Sequence, residues 1–149
     1  MRQALYRSDY YNIDVVDSIV EFTISPTATF GYDAIQNHKH VSAFICKQLN
    51  RPYKRLTIIK ASGNLTTEVQ QFLKEFTEND EYIAHAIIVP NLIKKLALQI
   101  FLRSVPCYQE ATEIFTSYRN GLTWLNKQSH DTDSHDITPL ELEELSKAF

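Results

Sequence analysis

The chain has 149 residues, 44% of them hydrophobic and 22% charged, with a formal net charge of −3 at neutral pH. That length fits one domain whose core needs neither a metal nor a disulfide. Three glycines and five prolines exclude collagen-like and low-complexity classes, and the lack of a basic excess argues against nucleic acid as a partner. Cys46 and Cys107 are the two cysteines, too few to build a zinc site by themselves. The residues from Met1 to Arg7 lead into no apolar leader segment, and no run approaches the length of a membrane span. The expectation is a cytoplasmic protein without integral membrane association.

Two short β segments come first, at positions 11–16 and 19–24. Asp17-Ser18 between them reads as a hairpin turn, although no glycine supports a primed turn there. Ser25-Pro26-Thr27 breaks the second strand. A helix follows over about 33–49, with Ala34, Ile35, His38, Val41, Ile45 and Leu49 on one stripe. Asn50-Arg51-Pro52 stops it. Positions 56–59 form a short strand, and Ser62-Gly63-Asn64 a turn. Thr66 caps a second helix, on which Val69, Phe72, Leu73 and Phe76 share one face.

Positions 82–89 are apolar on both faces except for His85, the pattern of a central strand covered on both sides. Pro90 ends it, and Asn91 caps a helix over 92–104. A fifth strand spans 112–116, and Ser117 caps a helix carrying Leu122, Trp124 and Leu125. Positions 126–136 are polar and read as a linker. Thr138, Pro139 and Glu141 then form a capping-box start for a tail helix with Leu142, Leu145 and Phe149.

Strands alternating with helices predict an α/β fold with right-handed crossovers. The expected architecture is a mainly parallel central sheet of about five strands, an N-terminal β-hairpin, about four helices and a C-terminal tail helix. The domain is expected over 9–128, with 129–149 as linker and tail.

The order, an opening hairpin and then alternating helices and strands, resembles the STAS-like (anti-sigma-factor-antagonist-like) fold. The second half carries the closest likeness. Ala84-His85-Ala86-Ile87-Ile88-Val89, the apolar helix after it, Pro106, Glu113-Ile114-Phe115-Thr116-Ser117 and Gly121-Leu122-Thr123-Trp124-Leu125 resemble a group of small bacterial STAS-like proteins. The resemblance covers about 9–128. It implies that fold, and with no catalytic set in the sequence an enzyme is the least expected reading beside an interaction module. In the antagonists a phosphorylatable Ser follows the third strand within an Asp-Ser-Ser-Gly-like motif. Here Lys60-Ala61-Ser62-Gly63 matches only in Ser-Gly, and the Asp is missing. Ser62, with Thr66 or Thr67 as substitutes, is the phosphoswitch position that the resemblance implies.

No catalytic set is legible. His38 and His40 point to different faces of one helix and cannot share a metal. His85 stands mid-strand and is the candidate to line a pocket, its bland alternative being a satisfied core histidine. The residues His130, Asp131, Asp133, His135 and Asp136 match no defined metal spacing. The pairs Lys54-Arg55 and Lys94-Lys95 read as solvated charge. Neither a cofactor nor a metal is expected.

The helix over 92–104 is the anomaly. Leu92, Ile93, Leu96, Ala97, Ile100 and Phe101 already supply a core face, and Leu98 and Leu102 add a second apolar stripe beside Lys94. Lys94, Leu98 and Leu102 are thus the expected interaction surface, for a protein partner or for self-association as a homo-oligomer. The alternative is carriage of a lipid or small ligand in an apolar pocket near this helix and His85.

Overall fold

The computed structural model describes residues 2–25, 32–60, 82–104, 111–128, 137–147 and 149. Six strands form one sheet in the order β1-β2-β3-β4-β5-β6. They are β1 (Arg2–Arg7), β2 (Tyr11–Val16), β3 (Ile19–Ile24), β4 (Tyr53–Ile59), β5 (Tyr82–Ile88) and β6 (Thr112–Phe115). The described helices are α1 (Tyr32–Leu49), α2 (Leu92–Arg103), α3 (Tyr118–Lys127) and α4 (Pro139–Lys147).

The α/β class and the opening hairpin are as expected, but the sheet is mixed rather than mainly parallel. β1, β2 and β3 form an antiparallel meander, and β3 to β6 are parallel. The sixth strand is β1, which the sequence conceals because Arg2, Gln3, Ala4 and Arg7 carry little β propensity. Its register slips between Ala4 and Tyr6, and the slip turns Leu5 into the core. The sheet therefore starts at Arg2, ahead of the expected boundary at residue 9.

The β2–β3 hairpin closes through two residues, with Val16 opposite Ile19. Asp17 and Ser18 both adopt positive φ, 47° and 69°. This is the primed geometry that matches strand twist, built without glycine. A serine there carries a cost of roughly 1–2 kcal/mol. Its hydroxyl oxygen accepts the Ile137 N–H at 2.9 Å, which ties the turn to the start of the tail.

Helix ends follow the sequence signals. Asn50 closes α1 at φ 51°, its N–H donating to the Cys46 carbonyl. The Asn91 side chain accepts the Lys94 N–H, and that of Ser117 the Asn120 N–H. Thr138 and Glu141 exchange the two hydrogen bonds of a capping box.

Strands β3 to β6 are added in one direction, so right-handed crossovers place α1 and α2 on the same face. On that face Phe22, Ile13, Val20 and Ile87 meet Ile45, Leu98, Leu102 and Leu145. The opposite face is covered over β4 to β6 by α3, where Leu125 packs on Leu56, Ala84, Ala86 and Ile88. Gly121 allows this close approach, since a Cβ there would lie 2.5 Å from Ile88 Cδ1.

Helix α4, expected as an appendage, packs against α1 and β1. Leu145 is fully buried, and Phe149 meets Tyr6 and Phe44 edge-on. Arg51 grips the Glu141 carboxylate with both terminal nitrogens and holds its pKa down at about 2. Leu145→Ala is expected to cost ~2–5 kcal/mol in chemical denaturation, whereas Leu140→Ala, on the exposed side of the same helix, costs under about 0.5 kcal/mol. The Glu141 carboxylate, depressed in the folded state, stabilises the fold above its ordinary pKa, and this is lost as pH falls from about 4.5 toward 2. Arg51→Met is expected to flatten that part of the acid-unfolding curve.

Candidate functional site

Strand β4 turns Tyr53, Arg55, Thr57 and Ile59 to the α1 face. Arg55 is 0% exposed, so the expectation of a solvated Lys54-Arg55 pair fails for Arg55. Its guanidinium stacks 3.6 Å over the Phe22 ring, a contact worth about 2 kcal/mol when desolvated. One terminal nitrogen donates to His38 Nε2 at 2.8 Å. A guanidinium only donates, so His38 Nε2 must accept and its proton resides on Nδ1. The other terminal nitrogen reaches Ser42 Oγ at 3.4 Å, and Nε reaches Thr57 Oγ1 at 3.3 Å. Thr57 Oγ1 in turn lies 2.8 Å from His85 Nε2.

This cluster spans β3, β4, β5 and α1. Burial pushes the pKa of His38 and of His85 well below the ordinary histidine value, and the Arg55 charge pushes both further the same way. Both imidazoles are neutral at physiological pH. His38, a member of the α1 stripe, is buried, and Tyr11 packs edge-on against it. His85 lies on the face of Ile87 and Val89, whereas Ile83, which strict strand alternation would place beside it, belongs to the opposite core. The register slip at the start of the β4–β5 pair accounts for the change.

A second charged group lies on the other face, over β1 to β3. Asp14 and Glu21 are direct cross-strand partners and both are buried, an arrangement that repels unless it is compensated. Arg2 bridges them, at 2.7 Å to Asp14 and 2.9 Å to Glu21. Arg7 holds the second Asp14 oxygen at 2.6 Å, and the Tyr118 hydroxyl donates to Glu21 at 2.8 Å. Burial, then the Glu21 contact, raise the Tyr118 pKa to about 12.

Helix α2 departs most from expectation. Leu98 and Leu102 are buried against the sheet, so they form no surface. Lys94 is half-buried at the edge of their stripe, its stem able to lie on apolar neighbours while the ammonium reaches water. Leu92, Ile93, Leu96 and Ile100, read from sequence as the core face, are 62%, 80%, 51% and 71% exposed. Both stripes of α2 recur at three- and four-residue spacing, so periodicity could not choose between them. The available cue was Arg103, which shares the Leu92–Leu96–Ile100 face at helical spacing.

Ser62, Thr66 and Thr67, with the second helix expected around them, lie outside the described residues, as do Cys107 and the His130–Asp136 cluster. Among the described residues no group of three or more His, Cys, Asp or Glu side chains is arranged to hold a metal ion. Among them, too, no helix is long and apolar enough to cross a membrane. No protein-family model, curated protein or solved structure matches this chain.

Two neutral buried histidines make stability fall with acid. Below about pH 6.5 the unfolded chain takes up protons that the folded chain refuses. Each histidine then adds a slope of about 1.4 kcal/mol per pH unit until its folded pKa is reached. Urea titrations between pH 7 and 5 are expected to show this loss, and His85→Gln to remove about half of it.

Proposed function

We propose that this chain is a non-catalytic, STAS-like protein-interaction module that self-associates through α2. The observation that carries the reading is the row of four large aliphatic side chains on α2, with Ile93 80% exposed. Residues 92, 96 and 100 stand one turn apart and form a continuous ridge. Contiguous apolar surface of this kind marks interaction sites.

The β2–β3 hairpin followed by parallel strands β4 to β6, with α1 and α2 as described crossovers, supports the STAS-like part of the reading. The non-catalytic part is supported by the enclosure of the polar groups best suited to proton transfer. His38, His85 and Arg55 are 3%, 0% and 0% exposed, and their described hydrogen bonds run to one another or to Ser42 and Thr57.

Burying a leucine or isoleucine contributes about 1.5–3 kcal/mol. These four are between half and four-fifths exposed, so they gain on the order of 4–8 kcal/mol, against an association cost of roughly 4–15 kcal/mol. The ridge supports a reversible, concentration-dependent contact rather than an obligate one. Light scattering is expected to show mass rising with concentration, and Ile93→Glu with Ile100→Glu to abolish the rise while leaving the unfolding midpoint unchanged at dilutions where the wild type is monomeric. A wild-type protein that stays monomeric at high concentration overturns self-association.

A further inference from the structure

The α2 ridge has a counterpart at the other edge of the sheet. A pocket of about 320 Å³ opens between α4 and the β2–β3 turn. Its walls include Val15, Ile137, Pro139 and Leu142, and Asp17 and Glu143 stand at it as acidic groups, with Lys147 3.7 Å from the Glu143 carboxylate and shared with Glu144. The ridge is apolar too, and its helix carries Lys94, Lys95 and Arg103 with no acidic residue. Among the described residues none of those three cations forms an ion pair. Apolar surface with a basic flank thus faces apolar surface with an acidic flank.

The mouth of the pocket is set by the fold. Asp17 and Ser18 are held in the left-handed region, and the Ser18 hydroxyl is tied to the Ile137 N–H. The two surfaces cannot meet within one chain. Helix α2 packs beside β6 and α4 beside β1, at opposite ends of the strand order. Five strand spacings, roughly 24 Å, separate those edges.

We propose that the α2 ridge of one copy docks into the α4–hairpin pocket of a second copy, with Ile93 as the most prominent side chain and Lys95 and Arg103, the cations nearest the ridge, toward Asp17 and Glu143. The inference rests on the reading of α2 as the contact surface and names what covers it. A contact between unlike surfaces is head-to-tail, so a joined pair keeps one free ridge and one free pocket. Assembly then proceeds to chains or closes into a ring.

Complementation tests this. A ridge variant, Ile93→Glu with Ile100→Glu, and a pocket variant, Glu143→Lys with Ser146→Arg, are purified separately and examined by sedimentation velocity, with circular dichroism to establish that each is folded. Each variant alone is expected to be monomeric. An equimolar mixture is expected to form a one-to-one dimer and stop there, because one intact ridge meets one intact pocket, whereas the wild type grows further. Glu143→Lys alone, at a mostly exposed side chain, is expected to weaken wild-type association, and added salt to weaken it likewise. If the pocket variant associates as well as the wild type, the ridge packs on another ridge; the docking proposal falls and the reading of α2 survives. A mixture that stays monomeric also overturns the docking. A wild type that never associates overturns both.

Discussion

A fully buried arginine governs the main core. Moving a guanidinium out of water costs several kcal/mol, and the fold meets that cost with geometry rather than exposure. Phe22 from β3 offers the face of its ring, His38 and Ser42 come from α1, and Thr57 comes from the same strand. The charge imposes a chemical state on its surroundings. His38 has to accept, so it is neutral and its tautomer is set, and His85 behind Thr57 is kept neutral by the same burial and charge. α1 is thereby fixed in rotation and height over the sheet, because a shift along its axis breaks the His38 and Ser42 contacts together.

The two faces of the sheet solve different problems. One carries the Arg55 cluster within a continuous apolar core beneath α1, α2 and α4. The other is apolar where α3 covers it, over β4 to β6 and at Ile19 of β3, and ionic over the rest of the meander. Arg2 and Arg7 explain why β1 belongs to the sheet despite weak propensity. The buried pair Asp14 and Glu21 needs cations from the neighbouring strand, and β1 supplies them in register.

The tail is joined to the body by several contacts of unlike kind: an ion pair at Arg51, an apolar plug at Leu145, an aromatic contact at Phe149 and a hydrogen bond at Ser18. The groove left between tail and turn is the counterpart proposed for the α2 ridge. Helix α2 thus acts in two directions, holding the sheet with Leu98 and Leu102 while presenting aliphatic side chains outward.

Local chemistry made much of this legible in advance. The caps at Asn91, Ser117 and Thr138, the stop at Asn50, the hairpin strands and the α1 stripe through Val41, Ile45 and Leu49 are short-range matters of hydrogen-bonding and period, and the sequence alone determined them. Only tertiary structure decided the rest. Arg55 looks like half of a solvated pair until the pleat turns it under α1, and β1 looks unstructured until Asp14 and Glu21 require its arginines. On α2 two apolar stripes compete, and the sheet chose Leu98 and Leu102. Periodicity gives the angle between side chains on one helix, but which angle points inward depends on where the sheet lies, and that is set by residues far away in the chain.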